Sequence, residues 1–237
     1  AELGIYANHF SFNNNGKVEN QKSSDTEFGV GGTYLFDQGF AVSGGADFTS
    51  QSRYYYGYNF PEMETDSTPS FTDDQVRQRF NITDINANIF NGVRTAADFD
   101  YKAGVSLYLM DGDPAVRESN IDINVQATKW ISDKQPLDIK FRADFTTYKD
   151  TSSQKLNNIY LNPSYTTAIA GRYRLKIGVN ITSQDDDFDL FPDVSLNAPI
   201  IDGLLSAFVG AEGSLQKNTL RTLSEYNPRV RPRLRVR

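Results

Sequence analysis

Apolar and polar residues alternate along most of the chain with a period of two, while the three-and-four spacing of an amphipathic helix is weak. One row reads Phe28, Val30, Gly32, Tyr34, Phe36 and the next Phe40, Val42, Gly44, Ala46, Phe48, neither broken by a charge. Later rows run from Phe99 through Val105 to Leu109, from Ile121 to Ala127, from Leu137 through Phe141 to Phe145 and from Ile159 through Pro163 to Tyr165. Three more follow, from Tyr173 through Val179 to Ile181, from Phe188 through Pro192 to Leu196, and from Leu205 to Ala211. Weaker alternation marks 2–12, 82–90 and 229–237. The residues in between are wet: Asp98, Asp100 and Lys102; Asn120, Asp122 and Asn124; Asp138, Lys140, Arg142 and Asp144; Arg172, Arg174 and Lys176; Asp189 and Asp193. Successive side chains of a strand point to opposite faces, so the pattern predicts antiparallel strands with one apolar and one polar face.

The rows hold for roughly nine to thirteen residues, longer than the five or six usual in soluble sheets and matched to strands that cross a bilayer. The connections alternate in length: long (13–26), short (37–39), long (52–79), short (91–95), medium (110–118), short (132–136), medium (149–157), short (168–171), medium (183–187), short (198–203), long (216–228). Short periplasmic turns and longer outer loops are the mark of an outer-membrane barrel. Phe99, Tyr101 and Trp130 fall near one set of strand ends and Tyr148 and Phe188 near the other, where interfacial girdles belong. The expected fold is all-β: an antiparallel transmembrane β-barrel of about twelve strands, or part of a larger one, with odd strands running outward. Residues 1–237 then form a single domain with its longest outer loop at 52–79.

Composition hides this pattern rather than revealing it. With 38% hydrophobic residues and a mean hydropathy of -0.51, the chain averages like a soluble protein, because alternating strands mask their apolar half. No apolar run nears the ~20 residues of a membrane helix. The absence of cysteine removes disulfides and thiolate chemistry. A net charge of -6 argues against nucleic acid as a partner. Ala1 opens directly into strand-like sequence, as a mature form or an internal piece of a longer protein would.

The stretch DFDLFPDVSLNAPIIDGLLSAFVGAEGSLQKNTLRTLSEYNP, 187–228, joins a strand, a tight IIDG turn, a second strand and a loop ending in Tyr-Asn-Pro. It resembles barrel segments of TonB-dependent-receptor-like proteins of the Bacteroidetes, within the outer-membrane β-barrel proteins of Gram-negative bacteria. The resemblance implies residence in the outer membrane, among its lipid and lipopolysaccharide and beside other outer-membrane proteins or lipoproteins. It is incomplete: the chain shows no plug domain and no energy-coupling box, is far shorter than a receptor barrel, and ends on arginine where complete barrels tend to end on an aromatic residue.

Candidate chemistry is sparse. His9 is the only histidine, and no serine or aspartate motif connects to it. Asp185, Asp186 and Asp187, and separately Asp111 and Asp113, offer carboxylates without the ordered spacing of a calcium loop. Neither metal nor cofactor is expected. The longest loop concentrates Tyr54, Tyr55, Tyr56, Tyr58 and Phe60 ahead of Glu62, Glu64 and Asp66, which suits either a recognition surface for a partner or ligand, or an outer girdle. The polar rows place Asp98, Asp100, Lys102, Asp122, Lys140, Arg142, Arg172, Arg174, Lys176, Asp189 and Asp193 in a lumen. Two outcomes are open there: ion pairs that close a narrow interior, or separated charges that set up the transverse field of a channel. The segment 229–237 alternates five arginines with Val230, Pro232, Leu234 and Val236, as a last strand, a basic tail or a truncated end would. The expected function is non-enzymatic, a structural or accessory part of an outer-membrane complex, with a porin or TonB-dependent-type transporter for small solutes as the alternative.

Overall fold

The computed structural model describes residues 1–14, 20–56, 71–93, 95–113, 115–132, 135–184 and 187–227. Eleven strands form one antiparallel sheet whose spatial order is the order of the chain. They are β1 (Glu2–Asn13), β2 (Lys22–Leu35), β3 (Phe40–Tyr54), β4 (Arg77–Asn91), β5 (Phe99–Asp113), β6 (Val116–Trp130), β7 (Pro136–Lys149), β8 (Ser153–Ile169), β9 (Tyr173–Gln184), β10 (Asp187–Ile201) and β11 (Leu205–Glu212). Two short helices, α1 (Asp73–Val76) and α2 (Leu220–Tyr226), complete the described elements. Among the described residues no helix is long and apolar enough to cross a membrane, which says nothing of strands.

The period-two pattern sets the register. On one face Val105, Ile123, Ala143 and Ile159 lie opposite one another across β5 to β8. On the other face Ser106, Asp122, Asp144 and Asn158 do the same. A slip of one residue in any pair would exchange the faces of that strand, so the alternation pins the pairing. Gly29 serves this register at the sheet's start: a Cβ there would meet the Tyr6 ring, whose hydroxyl instead crosses β2 to donate to Asp47 at 2.9 Å.

Burial is inverted relative to a soluble sheet. Apolar side chains of the first face stand in the open, Ile5 at 77%, Phe188 at 73% and Leu190 at 69% exposure, while Asp144 on the second is 3% exposed. Among the described residues the cluster of buried apolar side chains, Phe80, Ile82, Met110, Val116, Tyr148 and Leu220, lies on the polar face at its long-loop end. Tyr148 and Trp130 therefore depart from the girdle expected of them. Tyr148 is in register with Glu118, and Trp130 turns its Nε1 to Asp100 at 3.2 Å. Both sit at positions out of phase with the apolar row of their strand, so the pleat directs them to the polar side.

The strands are longer than their apolar rows. β5 ends at Asp113 and β6 begins at Val116, and β9 ends at Gln184 with β10 starting at Asp187, so the medium connections expected at 110–118 and 183–187 are mostly strand. The alternation of long and short connections holds for 14–21 against 36–39 and for 55–76 against 92–98, and is lost beyond β5. Residues such as Arg117, Glu118 and Asn157 read as loop because they are polar, yet ladder hydrogen bonds come from the backbone and tolerate them. At the turn 150–152 the Ser152 N–H bonds Asp150 Oδ1 at 2.7 Å and holds that carboxyl below its ordinary range.

Among the described residues β1 and β11 each pair on one side only, and the sheet is not closed between them. In an antiparallel sheet read in chain order, these two odd-numbered strands point the same way. The expected twelfth row, 229–237, lies outside the described residues.

Candidate functional site: the polar face and the segment across it

Beyond β11 the chain turns inward. Gly213 N–H donates to Pro192 O at 3.0 Å, and Asn180 Nδ2 holds Gly213 O at 2.7 Å. The segment 214–222 then crosses to the polar side chains of β4 to β8, lining one hollow with Asp84, Tyr108, Asn120, Asp144 and Tyr160. Thr219 starts α2 as a cap, its hydroxyl accepting from Thr222 N–H at 3.2 Å while Thr222 Oγ1 accepts from Thr219 N–H at 2.9 Å.

Glu118 anchors the helix. Its carboxylate accepts the free N–H groups of Leu220 at 2.7 Å and Arg221 at 3.0 Å, and the Tyr108 hydroxyl at 2.9 Å. Those N–H groups have no partner within the first helical turn, so a buried carboxylate satisfies them and is satisfied in return. Arg221 donates to Asp84 at 2.5 Å and lies over the Tyr108 ring at 4.7 Å. Leu220, fully buried, fills the apolar cluster.

A second anchor sits where Asp122 and Asp144 face each other on neighbouring strands. Like charges directly opposite repel. Arg142 bonds both carboxylates, and Lys217 reaches Asp144 and Thr146 from the crossing segment. Asn120 Nδ2 adds bonds to Asp144 at 2.7 Å and to Thr146 at 2.8 Å.

The residues expected in a lumen divide accordingly. Asp100, Lys102, Asp122, Lys140, Arg142, Arg174, Lys176, Asp189 and Asp193 share the polar face. Lys176 pairs with Asp193 at 2.6 Å, and Asn162 Nδ2 joins the same carboxylate at 3.0 Å. Asp98 and Arg172 are corrections. Asp98 occupies the turn before β5 with a φ of 53°, and Arg172 the turn before β9, where it bonds Ile200 O at 3.1 Å and pairs with Asp202 at 3.2 Å. Both lie one step past the point where the turn interrupts alternation. Asp122 is thus ion-paired with Arg142, and Lys176 with Asp193.

Sequence reasoning missed Glu118, Lys217, Arg221 and Asp84. The available signal was the pair Thr219 and Thr222 around Leu220 and Leu223, a helix start inside a stretch read as an outer loop.

The tyrosine cluster is tied into its own strands as far as it is described. Lys22 Nζ lies 4.5 Å from the Tyr54 ring centroid, the Tyr55 hydroxyl donates to Gln78 at 2.8 Å, and Tyr56 is exposed. Tyr58, Phe60 and the acids after them lie outside the described residues, as do Asp185 and Asp186. His9 Nδ1 meets Thr26 Oγ1 at 2.8 Å on the apolar face of β1 and β2. Asp111 pairs with Arg117 at 2.9 Å, and Asp113 with Arg77 at 3.5 Å. No group of three or more metal-ligating side chains occurs among the described residues. Two hollows of about 430 Å³ each open at the short-turn end, one beside Asp100 and Lys102, the other beside Trp130, Arg174 and Lys176.

No known family, curated protein or solved structure matches the chain.

Proposed function

We propose that this chain is wall and interior of a transmembrane β-barrel in the outer membrane of a Gram-negative bacterium, serving as a non-enzymatic, structural or accessory component. The supporting observation is the inversion of burial: an exposed apolar face backs a sheet whose polar face is ion-paired and partly covered by 214–226. Water penalises such an apolar face, whereas lipid accommodates it, and a bilayer requires every backbone group to be bonded internally. The resemblance of 187–228 to TonB-dependent-receptor-like barrel segments agrees with this reading. Closure then needs strands beyond β11, because β1 and β11 point the same way; one more strand, or any odd number, restores antiparallel pairing at the seam. The alternating segment 229–237 supplies the sequence of one.

The crossing segment favours an accessory role over transport, since Lys217, Leu220 and Arg221 occupy the space a solute would use. The hollows at the short-turn end favour the second reading, a porin or TonB-dependent-type transporter. Conductance of the detergent-folded full chain in a planar bilayer separates them. A folded but silent protein fits the accessory role; a steady single-channel current overturns it in favour of transport.

A further inference from the structure

We propose that the middle of the polar face is a binding site for a small oxyanion, a phosphate- or carboxylate-bearing solute, held between Lys102 and Lys140. The site stands on the polar face alone and does not depend on what covers the apolar one.

Lys102, Gln126 and Lys140 occupy one transverse row, Lys102 opposite Gln126 and Gln126 opposite Lys140. Neighbouring strands lie about 4.8 Å apart, so two strand spacings separate the lysines by roughly 10 Å at the backbone. Their side chains converge on a hollow of about 270 Å³ that Arg142 also lines. Three cations thus border it, and none of its lining residues is a carboxylate. The remaining polar lining includes the side-chain amides of Asn124 and Gln126, which can donate to an oxyanion.

Neither lysine has an ion-pair partner among the described residues, in contrast to Arg142, Lys176, Lys217 and Arg221 on the same face. The acids along the strands from them are already engaged. Asp100 accepts from Asn91 and Trp130, Asp138 from Thr128, and Asp193 from Lys176 and Asn162. Asp122 and Asp144 are taken by Arg142 and Lys217. What is left in the hollow is the ammonium groups of Lys102 and Lys140 among neutral donors, with Arg142 shared between Asp122 and Asp144 and no carboxylate in the lining.

The test is a titration of the detergent-folded full chain with inorganic phosphate and, separately, with glutarate, read by NMR on the Asn124 and Gln126 side-chain amides. The expected result is a saturable shift whose apparent affinity falls at least tenfold in the double variant Lys102→Gln, Lys140→Gln. Lys140→Arg, which keeps the charge, and Arg174→Gln, which removes an exposed cation outside the hollow, should both retain binding. Heat-modified gel migration verifies that each variant is folded. Shifts reproduced by sodium chloride at equal ionic strength, equal weakening by Arg174→Gln, or no saturation with either anion would each overturn the site.

Discussion

Lys217 shows how one side chain joins distant parts of this chain. It lies beyond the last described strand, yet its ammonium completes the neutralisation of Asp144, which Asp122 faces across β6 and β7. Removing one partner of a buried pair costs ~3–5 kcal/mol because the other charge stays desolvated; with Arg142 still on Asp144, the lower end applies here. Lys217→Met should therefore lower the unfolding free energy by about 3 kcal/mol, and adding Asp144→Asn should recover much of that loss. A double-mutant cycle by denaturant unfolding in detergent measures the coupling, and additive losses would show that the pair is not coupled. The acids and bases of the strands were legible in the sequence, since alternation names Asp122, Arg142, Lys176 and Asp193 as sharing a face. Their partners in 214–222 were not, because alternation reports which face a residue uses and not which loop folds onto it.

At the scale of elements the sequence was informative about strand interiors and poor at their ends. Apolar rows such as Ile121, Ile123 and Val125 appear where expected, on one exposed face of β6. The starts of β6 and β8, 116–118 and 153–157, are mostly polar and read as loop, whereas the ladder continues through them. Pro163 illustrates a local accommodation: it has no N–H for the ladder to β9, and Asn162 Nδ2 donates to Val179 O at 3.2 Å. α2 was hidden for a different reason, being about two capped turns whose anchor, Glu118, is about a hundred residues away. The face assignment itself can be tested in one strand. Ile123, 40% exposed at the middle of β6, should tolerate arginine within about 0.5 kcal/mol if water covers it, as surface substitutions usually do. If lipid covers it near mid-membrane, Ile123→Arg should cost ~2–4 kcal/mol. Unfolding of the chain reconstituted in bilayers, compared with Lys102→Gln on the opposite face, reads the difference, and the larger cost is the expected outcome.

For the whole molecule, inverted burial and open edges follow from the same pattern. The strands carry most of their apolar residues on one exposed face, so the sheet as described does not bury them against a second layer as a soluble sandwich does. The opposite face is held largely by polar contacts: the anchors at Glu118, Asp144 and Asp84 draw 214–226 across strands β4 to β7 at the long-loop end, with Leu220 in the apolar cluster there. The antiparallel sheet in chain order was therefore legible from the period, while closure was not, since the direction of the last strand depends on how many there are. Edge strands present unpaired N–H and C=O groups, and in lipid each such group costs several kcal/mol. Amide hydrogen exchange on the detergent-folded full chain tests whether the seam is sealed. If a further strand bridges β1 and β11, the backbone amides of Leu3, Ile5 and Ala7 that do not point to β2 should exchange as slowly as those of β6. Exchange of these amides as fast as in an unpaired edge would mean that the chain alone leaves its seam open, and that a neighbouring chain or a longer form of this one must supply the missing strands.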